Sequence, residues 1–389
     1  MNADQFKEAG KATIEQSPTL GGGVIQGTAS EATLTVMVAA RDKYLRETLP
    51  TDLSEEDLEE ATIRKRGKLV ALGSAAAHSA TKKAAKILGV RFMPVPVRAE
   101  DKYAMTGAGL AAVLETCRTK GLEPFYLTTT LGTTDTCAVD DFGGIITTLS
   151  DDSLTSHPLG KPGEIWVHVD AAYAGAALVT PEAQEAVGIS HLASFHSFDM
   201  NMHKWLLTNF DASTLFVRDR MWLVEALSAD LHILRNTYSD GGLVTDYRNW
   251  QIPLGRRFRS LKIWFVLRSY GVKGLQAYIR RTTKNGELFA ELLGSRPDLF
   301  EILTGPRFAL TVFRMVGRSA GADTEEKNAC TKELCETVNA SGKIWITGTM
   351  LDGQFAIRVM TANQLTEEEH VRKGFQVIVE TAEMILKSK

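Results

Sequence analysis

HVDAAYAG (His168–Gly175), read together with SFDMNMHKWLL (Ser197–Leu207), decides how this chain is read. Ile165 to Val169 is a short apolar run that reads as a buried strand, and Asp170 closes it. Lys204 follows His203 and precedes Trp-Leu-Leu. An Asp and a Lys in apolar settings are costly unless paired or otherwise engaged. One chemistry needs both: a Lys amine that forms a Schiff base with pyridoxal 5'-phosphate (PLP), and a carboxylate that holds the pyridinium nitrogen protonated. A salt bridge between the two, or two unrelated surface charges, would leave the same residues in the same order.

Upstream, GGGVIQGTASEAT (Gly21–Thr33) is a glycine-rich turn running into an Ala-rich helix, with Thr28 and Ser30 as N-cap candidates. Such a turn offers free N–H groups and a positive dipole end to a phosphate. It lacks the Gly-Lys-Ser/Thr of a nucleotide P-loop, and a tight turn into a core helix would look similar. Lys68 to Gly73 reads as a strand, with His78 at the start of the amphipathic helix that follows. A His there can cap the helix, pack in the core, or stack on a flat ring and relay a proton. Phe125 to Leu131 reads as a further strand, with Thr130 and Thr133 near its carboxyl end and Asp140-Asp141 opening a helix. Alternating strands and helices imply an α/β fold with a mostly parallel sheet. Ligands of such sheets bind outside the strand carboxyl ends, where Thr130, Asp170 and Lys204 can converge.

HVDAAYAG, SFDMNMHKWLLTNFD, TTTLGTTDTCAVDD, the glycine-rich turn, and TDYRNWQIPLGRRFRSLKIWFVLRSYGVKGLQAYIR (Thr245–Arg280) keep the order of one pattern. On these motifs the chain resembles the aromatic-L-amino-acid decarboxylase family of PLP enzymes, from about Gly21 onward. The resemblance implies the type I fold of PLP-dependent transferases, with a large PLP-binding domain over 21–285 after a short segment over 1–20. From about Gly286 the character of the sequence changes: Phe308–Met315 alternates like an antiparallel strand and Asp352-Gly353 is a hairpin signal, which reads as a small α+β domain over 286–389. The resemblance also implies PLP on Lys204, Asp170 at the ring nitrogen, and His78 stacked on the ring beside the reacting carbon. Ala172 would lie beneath the ring, Thr130 would face the cofactor and substrate, and Ala29, Ser30, Asn201 and His203 would anchor the phosphate. The implied activity is a carboxy-lyase that converts aromatic L-amino acids to amines and CO2, in a cytoplasmic homodimer.

Two departures stand out. Met202 occupies the place of the family's Pro between Asn and His, which implies a looser turn at Lys204. In the polar stretch Ser228–Thr245, a lid candidate, an ungapped count puts Ile233 where the family carries a catalytic Tyr. His232 precedes it and Tyr238 follows. Family members lacking that hydroxyl can release an aldehyde, so decarboxylation coupled to oxidative deamination is the alternative outcome. His232 or Tyr238 could substitute as proton donor. The family also carries a domain-sized segment before the glycine-rich turn, where only twenty residues stand here. The expectation is an exposed apolar face, with a non-catalytic role as a third reading.

Composition sets the bounds. The chain has 389 residues, 44% of them hydrophobic, and a net charge of −3. That balance argues against a nucleic-acid partner. The densest basic cluster, Gly255–Arg259, reads as ion pairing near a helix start. The four cysteines show no CxxC spacing, which fits reduced thiols. No apolar run is long enough to span a membrane.

Overall fold

The computed structural model describes residues 21–228, 245–319 and 321–387. The N-terminal segment and His232, Ile233 and Tyr238 lie outside these residues. The chain divides into two compact units. One is the chain up to Leu131 with Val139–Val272; the other is Gly132–Ala138 with Lys273–Lys389.

The first unit is built on seven strands: β1 (Gly22–Gln26), β2 (Leu69–Ser74), β3 (Arg91–Val95), β4 (Glu123–Thr130), β5 (Trp166–Asp170), β6 (Ser197–Asn201) and β7 (Ser213–Val217). Their order is β1-β7-β6-β5-β4-β2-β3. Strands β3, β2, β4, β5 and β6 run parallel, while β7 is antiparallel to both β6 and β1. The expected mostly parallel α/β sheet is therefore present. LVALGS and WVHVD are buried at every position, as strands covered on both faces must be. Helix Ala29–Thr48 starts at its N-cap Thr28, whose side chain accepts the Glu31 N–H. Val36, Met37, Ala40 and Tyr44 of this helix share one core with Tyr126, Trp166 and Leu215. The helix thus lies on the sheet face that carries Trp166, His168 and Asp170, since alternate residues share a face.

The second unit has an antiparallel sheet in the order β10-β11-β9-β8. These strands are β8 (Phe300–Arg307), β9 (Leu310–Met315), β10 (Thr347–Leu351) and β11 (Gln354–Met360). Asp352 and Gly353 both have positive φ, 49° and 78°, as a two-residue hairpin requires. The core collects Phe289, Phe313, Leu334, Phe375 and Ile378. The unit boundary falls at Val272/Lys273 and not at the change of sequence character near Gly286. Helix Ser260–Gly294 is interrupted at Gly271, with φ 60° and ψ 178°, a conformation that glycine tolerates. No helix among the described residues is long and apolar enough to cross a membrane.

Candidate active site

The carboxyl ends of β4, β5 and β6 lie side by side. The register pairs Thr130 with Asp170 and Asp170 with Asp199. Asp170 is buried, and its Oδ1 accepts the Ala172 N–H at 3.0 Å. Thr130 is buried, and its hydroxyl has no hydrogen-bond partner among the described residues. Its backbone N–H donates to Asp140 Oδ2 at 2.7 Å. Asp140 also accepts the Met105 N–H and the Thr129 hydroxyl. Burial pushes Asp140 up to about 7 even against these three donors, which favour the charged form. Asp141 alone caps helix Phe142–Leu149, through Gly144. Asp140, expected to open that helix with it, instead pins the end of β4.

Beyond β6, Met202–Trp205 is a single helical turn. Lys204 sits on it and is exposed, while Met202, Trp205 and Leu206 around it are buried. The apolar setting expected for Lys204 therefore belongs to its neighbours and not to its ammonium. Among the described residues Lys204 forms no ion pair, so the anticipated alternative of a Lys204–Asp170 salt bridge is not what the fold makes. Met202, in the place of the family's Pro, is buried, and Trp205 at the end of the same turn stacks on Tyr173 with ring centroids 4.9 Å apart and 8° between planes.

Asn201 links this turn to the glycine-rich start. Its Oδ1 accepts the Ala29 N–H at 2.9 Å across 172 residues of sequence, and its own N–H donates to Ala172 O at 3.1 Å. Ala29, Ala172, Asn201 and Lys204 are thus tied to one edge. Ser30 is exposed in the first turn of helix Ala29–Thr48, inside the helix and not at its cap as weighed from sequence. Its N–H has no intrahelical partner by position, and neighbouring N–H groups are taken by Asn201 and Thr28. His203 is half-buried; its Nδ1 faces the Ala212 backbone at 2.9 Å, and burial holds it below the usual imidazole value. Phe210 packs edge-on against its ring.

His78 is exposed just past the end of β2, and its Nδ1 accepts the Ala80 N–H at 3.2 Å. That bond takes up an N–H of the first turn of helix Ala80–Leu88, whose N-cap residue is Ser79. The basic cluster also pairs as expected. Arg259 and Arg257 both bind Asp211, which Arg259 holds down at about 2.

This edge offers a helix N-terminus and hydroxyl for an anionic tail, an orphan hydroxyl and a buried carboxylate for a polar ring, and a lysine amine. Those donors suit PLP. The residue-level reading missed Tyr173, Trp205, Asp140 and Asp199, because nothing in linear order says which side chains share a face.

The family described as the pyridoxal-dependent decarboxylase conserved domain matches residues 5–316. Aromatic-L-amino-acid decarboxylase of Rattus norvegicus is 39% identical over 369 residues, 95% of this chain and 71% of that protein. Phenylacetaldehyde synthase of Arabidopsis thaliana is 41% identical over 94% of this chain and 69% of its own length. Among solved structures, Oryza sativa TDC with PLP and tryptamine superposes with a TM-score of 0.84 at 33% identity, covering 97% of this chain and 75% of that one. Rhodiola rosea 4-hydroxyphenylacetaldehyde synthase gives 0.79 at 32%, covering 94% and 70%. The architecture is the expected type I fold of PLP-dependent enzymes.

Proposed function

We propose, from the premise that this chain belongs to the pyridoxal-dependent decarboxylase family, that it removes the carboxyl group of aromatic L-amino acids as CO2 and releases the amine. The observation that carries the reading is the Asn201–Ala29 hydrogen bond, which brings the lysine-bearing turn and a helix N-terminus to the strand end that holds Asp170. Similarity to aromatic-L-amino-acid, tryptophan and tyrosine decarboxylases supports the substrate class.

In this reading Lys204 is the attachment point, and its exposure leaves the amine open to incoming substrate. PLP, when bound, supplies an electron-poor ring that accepts the charge left at Cα as CO2 departs. Asp170 holds the ring nitrogen's proton through the oxygen that Ala172 does not occupy, a charge-assisted bond. The Ser30 N–H and hydroxyl, with Ala29, Asn201 and His203 around them, hold the phosphate. A dianion at that helix N-terminus gains up to about 2 kcal/mol from the dipole. Thr130 donates its unpartnered hydroxyl, and Ala172 leaves room beneath the ring. His78, exposed past the end of β2, would supply a flat imidazole to stack on the ring and relay a proton.

A homodimer belongs to the same reading. Ile252, Leu254, Phe258, Leu261, Trp264 and Phe265 are all exposed within one segment, Phe258 by 76%, and such clustering marks an interface. A cytoplasmic location accords with the four free, buried cysteines. A second outcome, oxidative release of an aromatic aldehyde, is favoured by Ile233 and by the likeness to phenylacetaldehyde synthase.

The test is borohydride reduction after incubation with PLP, with peptide mass mapping, followed by product analysis on tyrosine, DOPA and tryptophan. A pyridoxyl group on Lys204 with stoichiometric amine and CO2 is expected, and Lys204→Ala abolishes both. Peroxide with aldehyde would assign the second outcome. Modification scattered over surface lysines would overturn the site.

A further inference from the structure

Behind Asp170 lies a buried polar chain with no part in the reading above. Trp166 Nε1 donates to Ser197 Oγ at 2.8 Å, and Ser197 Oγ lies 2.9 Å from His168 Nδ1. Trp166 can only donate, so the Ser197 hydroxyl hydrogen is free to point at His168 Nδ1. That leaves the proton of a neutral His168 on Nε2, which stands 3.2 Å from Asp199 Oδ1 at an oblique angle. Ser213 Oγ reaches Asp199 Oδ2 at 3.4 Å. His168 and Asp199 are each fully buried.

The register makes Asp199 the direct neighbour of Asp170 on the adjacent parallel strand. Paired positions of adjacent parallel strands send their side chains to one face, so two carboxylates stand together. Around them are His168, Ser213, Lys204 on the turn after β6, and Tyr126 on β4. Burial, with Asp170 adding to it, raises Asp199 to about 6 while His168 and Lys204 oppose the rise. At pH 8 Asp199 is therefore ionised, beside Asp170.

We propose, on the basis of the reading given above, that Asp199 is a positioning residue acting through Asp170: the carboxylate pair, steadied by His168, selects a cofactor ring that carries a proton on its nitrogen. Two adjacent anions repel, and a ring N–H cation against Asp170 relieves that repulsion. A ring without the nitrogen cannot do so. The pair therefore discriminates for the cationic ring beyond what Asp170 achieves alone, and Asp199→Asn removes one of the two charges while keeping the side chain's shape.

The experiment measures equilibrium dialysis of PLP and of 1-deazapyridoxal 5'-phosphate, which lacks the ring nitrogen, against the full chain and its variants at pH 8. The wild-type chain prefers PLP. In Asp199→Asn that preference falls roughly tenfold, the equivalent of one pKa unit, and the deaza compound binds as before. His168→Phe removes the imidazole that stands 3.2 Å from Asp199 and opposes the rise of its carboxyl, favours its protonation, and gives the same selective loss if Asp199→Asn does not fold. Equal losses for both compounds in the folded variant would mean that Asp199 only packs, and unchanged preference would mean that its charge is not felt; either overturns the proposal. A wild-type chain that binds neither compound and carries no pyridoxyl group on Lys204 after reduction would overturn the underlying reading instead.

Discussion

Replacing Asn201 separates the stability of the site's frame from its affinity for an anion. Asn201 is buried and accepts the Ala29 N–H at 2.9 Å. Asn201→Ala strands a buried donor in the first turn of helix Ala29–Thr48, a loss of about 1–3 kcal/mol. At about 2 kcal/mol the corresponding change in an equilibrium constant is roughly 30-fold. Asn201→Asp behaves differently. Its carboxylate can accept the same N–H, and a negative charge at a helix N-terminus is favourable by about 0.3–1 kcal/mol. It also places a charge beside the position assigned to the phosphate. In urea unfolding of the cofactor-free protein, Asn201→Asp is therefore expected within about 1 kcal/mol of wild type, with Asn201→Ala clearly below both. In PLP dialysis the order of the two variants inverts, and Asn201→Asp binds worst. Equal destabilisation by both variants would refute the hydrogen-bond argument. Unimpaired PLP binding by Asn201→Asp would refute the phosphate placement.

Other outcomes follow from the same geometry. Trp205→Ala removes a fully buried ring stacked on Tyr173 and is expected to cost about 3–5 kcal/mol in urea unfolding, with Trp205→Phe recovering much of it. Asp140 and Asp199 are raised to about 7 and about 6, so at these two sites the folded chain binds more protons than the unfolded chain above about pH 4. Their contribution to stability falls as pH rises through this window and levels off above it, against the opposite contribution of His196 and His203, which burial lowers. Asp140→Asn should flatten that decline between pH 5 and 7 in a series of unfolding curves, and an unchanged slope would show that Asp140 does not titrate there. Phe258→Asp combined with Trp264→Asp is expected to halve the mass seen by light scattering without altering the far-ultraviolet circular dichroism spectrum. An unchanged mass would remove the exposed apolar segment from the dimer reading.

Several features were legible before any fold was known because they depend on near neighbours in the chain. The Asp352-Gly353 hairpin, the N-cap at Thr28 and the buried strand that ends at Asp170 each rest on local backbone chemistry. Others were not. Asp140 and Asp141 are adjacent and chemically identical, yet one caps a helix and the other pins β4 through Thr130 and Met105. Which does which depends on where the next strand lies. The break at Gly271 looks from sequence like one more glycine inside a long amphipathic helix, and its positive φ emerges only in the folded chain.

By itself the sequence determined the strands that became β2, β4 and β5, the strand-end carboxylate at Asp170, and the motif string that identifies the family, whereas Gly22–Gln26, read as part of a turn, is strand β1. These depend on residue type and spacing along the chain, which folding does not alter. The tertiary structure decided which side chains share an edge. It set Asn201 against Ala29, placed Asp199 beside Asp170, and stacked Tyr173 on Trp205. It also left Lys204 in the open while burying its neighbours. Strand register and helix packing bring together residues far apart in sequence, and the electrostatics of a buried carboxylate follow from neighbours that linear order does not reveal.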